Sequence, residues 1–255
     1  MAAKANNYEG IVRDIKAGRY APVYYLMGDE AYYIDRISQY IVDSVLQPEA
    51  RDFNLDVLYA GDVGMDAIVE RARTYPMMAE NRVVVVREAQ GLRNLDLLEA
   101  YLKQPSPTTL LVFCHKNGKL DARRNVAKAI QQKGVLFESR KLYDRELPSF
   151  VKGYVERSGA QIEPKAVQML CEHVGNDLNR LSAEIDKLLS GLLGERRVID
   201  AGMVELLTGV SKDFNSFELV GALARKDVAV AFRIVRFFQG NPRSFSLPQT
   251  LSNIF

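Results

Sequence analysis

The chain has 255 residues, 47% hydrophobic and 26% charged, with 34 Lys and Arg against 32 Asp and Glu for a net charge of +2. That balance suits a globular protein with enough core for one large or two to three smaller domains, and it does not suggest a dedicated basic stripe for nucleic acid, though it leaves room for a local basic face. No apolar run approaches the ~20 residues of a membrane span, the N-terminus "MAAKANNYEG" has no apolar signal core, and Cys114 and Cys171 form no CxxC, so reduced, buried thiols in a cytosolic protein are expected.

Tyr8, Ile11, Val12 and Ile15 share one helical face. Val23 to Met27 reads as the first strand, and "YYLMGDEAYYIDR" (24–36) carries it through Gly28 into a helix. That helix places Ile34, Ile37, Ile41 and Val45 inward and stops before Pro48. Strand–glycine–helix junctions often bind phosphate, because glycine lets the backbone approach and the helix N-terminus offers N–H donors. Here Gly28 is followed by Asp29 and Glu30, with no lysine and no second glycine. Two carboxylates at that mouth would repel a triphosphate.

"FNLDVLYA" (53–60) alternates and is β-rich, giving a second strand. Asp62 is placed to N-cap a helix with Met65, Ile68, Val69 and Ala72 inward, halted by Pro76. "TYPMMAENR" (74–82) then puts two consecutive methionines before the third strand. In an extended connector both cannot point inward; they read either as filler for a core gap or as a flexible apolar plug for another protein's pocket. "RVVVVRE" (82–88) is uniformly apolar, like a strand of a parallel sheet covered on both faces. An ATPase would end such a strand in Asp-Glu to support Mg²⁺. This one ends in Arg87-Glu88, and an arginine there repels the metal.

"LDLLEAYL" (95–102) is helical, "TTLLVFC" (108–114) a fourth strand, 121–133 a basic helix and "GVLFES" (134–139) a fifth strand. Strands alternating with helices predict a doubly wound α/β layer ending near residue 140. "HKNGKLDARR" gathers Lys116, Lys119, Arg123 and Arg124. Such a cluster is ordinarily a solvated face; its functional reading is phosphate contact with DNA or an acidic partner. After residue 140 the strand signals stop, and 144–158, 164–175, 176–190 and 200–208 read as four helices. "SGLLGERR" (190–197) is a Gly-containing loop. From 211 a helical pair and the start of a third helix are read. The 227–239 helix is apolar on almost every side, which belongs in the middle of a larger assembly, and a third helical domain cut short at "IF" is the expectation.

No P-loop, GxGxxG, HExxH or GxSxG occurs, and His115 and His173 sit in no metal spacing, so no catalytic constellation is expected. An active P-loop-like ATPase with an atypical site is the alternative class. A stand-alone DNA-binding protein is the third, and the near-neutral charge counts against it.

The order of the parts resembles the delta-subunit family of the bacterial DNA polymerase III clamp loader. The segments that carry the likeness are "YYLMGDEAYYIDR", "RTYPMMAENRVVVVREA", "GKLDARRN", "LPSFVKGYV", "CEHVGNDLNRLSAEIDKL" and "DFNSFELVGALARKDVAVAFRIVRFF". The resemblance implies an α/β plus all-α chain: a RecA-like AAA+ domain with a five-stranded parallel sheet over 1–140, a helical lid over 141–210 and the start of a helical collar over 211–255. It implies the AAA+ shape without ATP chemistry. Gly28, Asp29 and Glu30 stand where a P-loop would be, Arg87 and Glu88 where the metal-supporting acids would be, and Leu178 where ATP-binding relatives carry a γ-phosphate-reading arginine.

The implied work is mechanical, with no cofactor. A delta subunit binds the beta sliding clamp and opens its ring for loading onto primed DNA, beside ATP-binding gamma/tau and delta-prime subunits. It has no intrinsic activity and counts with DNA-directed DNA polymerase, a nucleotidyltransferase, through the holoenzyme, in the cytoplasm at the nucleoid. Clamp contact falls to two adjacent apolar residues in the connector before the third strand, here Met77 and Met78, flanked by Tyr75, Pro76 and Ala79. Many family members carry Leu-Phe there; Met-Met keeps apolar bulk and loses the ring.

Overall fold

The computed structural model describes residues 7–192, 197–208 and 214–240. The chain forms two compact units, Met1–Lys141 and Leu142–Phe255.

The first unit runs α1 (Tyr8–Lys16), β1 (Val23–Gly28), α2 (Ala31–Val45), α3 (Arg51–Asn54), β2 (Leu55–Tyr59), α4 (Met65–Arg73), β3 (Arg82–Arg87), α5 (Asp96–Lys103), β4 (Thr109–Lys116), α6 (Asn125–Lys133) and β5 (Val135–Ser139). Every strand pairing is parallel, in the order β2-β3-β4-β1-β5. The five-stranded, doubly wound α/β layer expected from the alternation of strands and helices is therefore present.

Period-two alternation divides each buried strand between two cores. Tyr24, Leu26, Val83 and Val85 pack with α1 and α2 through Ile11, Ile34 and Ile37. Tyr25, Met27, Val84 and Val86 pack on the opposite face with α4, α5 and α6 through Ile68, Leu98 and Ile130. All four valines of 83–86 are buried, so the apolar run needs both helical layers.

Local chemistry moves several boundaries. Asp62 does not cap α4: the helix starts at Met65 behind Gly64, whose extended backbone ends the preceding turn. Residues 53 and 54 belong to α3, not to the second strand: the Leu55 N–H donates to the Arg51 carbonyl and closes the turn, and Asn54 Nδ2 donates to the Ala50 carbonyl at 3.0 Å. The basic helix begins only at Asn125. Arg124 has extended backbone, and the Asp121 carboxylate accepts the Arg123 N–H at 2.9 Å in the turn before it.

The second unit contains α7 (Leu147–Arg157), β6 (Gln161–Ile162), α8 (Pro164–Val174), α9 (Leu178–Ser190), β7 (Val198–Ile199), α10 (Ala201–Thr208), α11 (Ser216–Ala224) and α12 (Val228–Gly240). Prolines in the first turn of α7 and α8 fit positions whose N–H has no intrahelical partner. Leu181, Ile185 and Leu188 of α9 are fully buried, at the spacing read from the sequence. The strand signal does not vanish after residue 140, since β6 and β7 pair in parallel over two residues each. Ala231, Ile234 and Phe238 of α12 pack on Leu219 and Ala222 of α11, whereas Val228, Phe232 and Val235 are exposed. The helix is thus covered on one side. The continuation expected beyond residue 240, and part of the 190–197 loop, lie outside the described residues.

Candidate functional site

Two places in the first unit carry the residues singled out by the sequence, and they lie at opposite ends of the sheet. The C-terminal ends of β1, β3 and β4 hold Gly28, Arg87 and Lys116; the connector 74–81 leads into the N-terminal end of β3. In open α/β sheets ligands enter at the carboxyl ends, between strands whose succeeding helices leave to opposite faces. Here those strands are β1 and β4, and their mouth is lined by the chain's own charged and backbone groups.

Gly28 has φ +123°, and a Cβ built on it would lie 2.0 Å from the Ser139 carbonyl oxygen. Its glycine character serves the approach of β5. Asn117 N–H donates to the Gly28 carbonyl at 3.0 Å, and Asp29 N–H to the Ser139 carbonyl at 3.3 Å. Glu30 is buried and its carboxylate accepts the Tyr32 N–H at 3.1 Å, so an anion already occupies the N-terminus of α2. Asp29 remains exposed.

Behind this mouth Asp35 holds two cations. Its Oδ1 accepts from Arg87 Nη1 at 2.9 Å and its Oδ2 from Lys116 Nζ at 2.8 Å. Arg87 also lies 3.7 Å from the buried Cys114 Sγ, a thiol whose pKa burial raises. Glu88 comes next in a left-handed turn at φ 54°, exposed. Asp35 was missed in the sequence, where nothing in the helical spacing separates it from a solvated acid. Leu178 opens α9 in the second unit and is buried, with Asp177 accepting the Arg180 N–H as the cap.

Each of the four basic residues lies within ion-pair distance of an acid. Lys116 belongs to the Asp35 pair, Lys119 pairs with Glu138 at 2.6 Å, and Arg124 lies 3.6 Å from Asp96. Arg123 is almost wholly exposed, 3.8 Å from Asp121.

His115 beside this end accepts or donates to the Tyr25 hydroxyl at 2.9 Å, and burial lowers its pKa while pushing the Tyr25 phenol up to about 12. The unfolded chain therefore takes up a proton first as pH falls below ~6.5, so the stability tied to neutral His115 is complete above that pH and is lost as pH falls through the depressed folded value. Melting temperature should drop as pH falls below ~6.5, and His115→Gln should flatten that slope. An unchanged slope in the variant would refute the assignment.

The opposite end has a different character. Tyr75 is 81% exposed, Met77 57% and Met78 100%, while Pro76 and Ala79 are half-buried. Core filling, one of the two readings of the methionine pair, is thereby excluded. Met78 adopts φ 53°, a left-handed conformation uncommon outside glycine and asparagine. The connector is nevertheless tied down. Asn54, 0% exposed, accepts the Met77 N–H through Oδ1 at 2.6 Å and donates through Nδ2 to the Met77 carbonyl at 2.9 Å. Buried Arg82, the first residue of β3, donates from Nη1 to the Phe53 carbonyl at 3.0 Å and from Nε and Nη2 to the Asp56 Oδ2 at 3.1 and 2.6 Å. Asn54, Asp56 and Arg82 were not picked out from the sequence.

The pair thus presents exposed apolar area on a backbone held by hydrogen bonds from the fold. Among the described residues no group of three or more His, Cys, Asp or Glu side chains is arranged to hold a metal ion.

Residues 24–140 match the family described as DNA polymerase III, delta subunit. The DNA polymerase III subunit delta of Bacillus subtilis (strain 168) is 27% identical over 254 residues, covering 95% of this chain and 73% of the relative. Among solved structures, the Bacillus subtilis DNA clamp loader delta protein aligns with a TM-score of 0.69 at 25% identity, over 97% of this chain and 75% of its own. The Thermotoga maritima RuvB Holliday junction branch migration motor aligns over 84% of this chain and 72% of its own, with a TM-score of 0.44 at 12% identity.

Proposed function

We propose, from the match of residues 24–140 to the DNA polymerase III delta-subunit family and the likeness to the Bacillus subtilis protein, that the chain is the clamp-loader subunit that grips the sliding clamp. The beta clamp ring is its partner, opened at one interface for loading onto primed DNA. ATP-binding gamma/tau subunits and delta-prime complete the loader, which works in the cytoplasm at the replisome. The chain itself is non-catalytic and takes no cofactor. Its 1–140 segment carries the clamp contact, 141–210 acts as the lid and 211–255 contributes to the collar.

One observation carries the reading: Met77 and Met78 stand exposed on a connector whose backbone is pinned from within the fold. Thioether side chains adapt to an apolar pocket, and desolvating them supplies non-directional binding energy. Immobilising the sliding clamp of the same organism and passing this chain over it tests the proposal. Saturable binding that weakens about a hundredfold in the Met77→Ala, Met78→Ala variant is expected. Undiminished binding by that variant would overturn the docking role.

The charge arrangement at the other end of the sheet supports the non-catalytic part. Glu30 occupies the helix N-terminus, and Asp35 engages both Arg87 and Lys116, so a triphosphate would meet a carboxylate and find its cations engaged. Calorimetric titration with Mg-ATP should give no saturable heat. Micromolar binding would restore the ATPase alternative.

A further inference from the structure

We infer that Asn54 is a positioning residue, whose carboxamide sets the Met77–Met78 pair in its exposed conformation before the clamp arrives. The inference rests on the docking role proposed above. Asn54 is the last residue of α3 and is wholly buried. A carboxamide has two N–H donors and a carbonyl acceptor, and here all are engaged: Nδ2 reaches both the Ala50 and the Met77 carbonyls, and Oδ1 takes the Met77 N–H. Serving both backbone groups of one residue is what a neighbouring strand does. A side chain thus stands in for a strand at the point where the connector leaves the sheet.

The hold on Met77 matters because of its neighbour. Met78 is in the left-handed region, which methionine seldom occupies, and its side chain is 100% exposed. Packing of its own side chain therefore does not keep it there. The restraint comes through the backbone of Met77, and so through Asn54. Asn54 is itself held, because Arg82 binds the Phe53 carbonyl and the Asp56 carboxylate on either side of it. Arg82 also begins β3, so the chain is tied to the 53–56 segment at two points, Met77 within the connector and Arg82 just after it. A loop ordered in advance avoids the ordering entropy that a free loop loses on binding.

Two measurements test this on the full chain. In the free protein, the Met77 amide should exchange with solvent hydrogen at least ~100-fold more slowly than an unprotected amide. Exchange at the unprotected rate overturns the inference and needs no variant. Secondly, Asn54→Asp keeps the size and the acceptor for Met77 N–H but removes both donors; Asn54→Ser is a smaller companion should the first fold poorly. At a temperature where the variant is fully folded, and per mole of folded chain, clamp affinity should fall about tenfold, chiefly through slower association. A purely structural role would lower melting temperature yet leave the rate constants of the folded fraction unchanged, and that result overturns the inference. The double methionine variant separates the two levels. If it loses clamp binding while Asn54→Asp does not, the docking role stands and the positioning role fails. If it binds like the parent, the docking role fails and Asn54 has nothing to position.

Discussion

Replacing Met77 and Met78 together by alanine should weaken clamp binding about a hundredfold while leaving the melting temperature almost unmoved. The size comes from the area still available. Met78 is wholly exposed and Met77 57% exposed in the free chain, so a partner pocket can bury all of one side chain and about half of the other. At ~1.5–3 kcal/mol for a fully buried methionine, that gives roughly 2–5 kcal/mol before ordering costs. Alanine keeps one carbon of each, which brings the expected loss to about 3 kcal/mol, or roughly a hundredfold. Folding is spared for the same reason: neither side chain reaches the core, and surface substitutions away from special features stay within about 0.5 kcal/mol. Surface-plasmon binding to the sliding clamp and thermal unfolding by circular dichroism decide the matter. A variant that melts much earlier but binds the clamp normally would place the methionines in the wrong role.

Gly28→Ala should do the reverse and destabilise the first unit by ~3 kcal/mol or more. The added Cβ would meet the Ser139 carbonyl oxygen at 2.0 Å, and both that oxygen and Ser139 N are backbone of β5. Relief requires β5 to move away from β1, which breaks the Asp29 N–H bond to the Ser139 carbonyl and the Ser139 Oγ bond to the Met27 carbonyl. The φ of +123° adds a backbone cost that no L side chain escapes. Hydrogen exchange resolved along the chain provides the check. Amides of β1 and β5 should lose protection, while those of α7 to α9, in the other compact unit, serve as the internal reference. A melting temperature within about 2 °C of the parent would show that Gly28 is not needed for this approach.

Much of the fold was legible because it depends on short-range patterns. The run of valines at 83–86 could be buried only between two layers, and helical spacing such as Ile34, Ile37 and Ile41 identified the face that covers them. Alternating elements then required parallel strands with crossover helices. Boundaries were less legible where a side chain competes with the backbone: Asn54 extends a helical turn into the expected strand, and Arg124 stays extended before α6. The Met-Met connector was visible as an oddity, and its acidic, lysine-free counterpart after Gly28 as a departure from phosphate chemistry.

By itself, then, the sequence determined the five-stranded layer, the mainly helical part after it and the acidic, lysine-free turn after Gly28, since each depends on residue type and spacing within a dozen positions. Only the tertiary structure decided which way the methionines face and what holds them. Asn54 is 23 residues from Met77, and Asp35 is 52 residues from Arg87 and 81 from Lys116. Those pairs meet because the strand order puts β3 between β2 and β4, and β4 beside β1. A carboxamide or carboxylate looks the same in sequence whether it is solvated or bonded across the sheet. Its partner is fixed by strand neighbourhood, which periodicity does not encode, and by the cost of leaving a buried polar group unpaired.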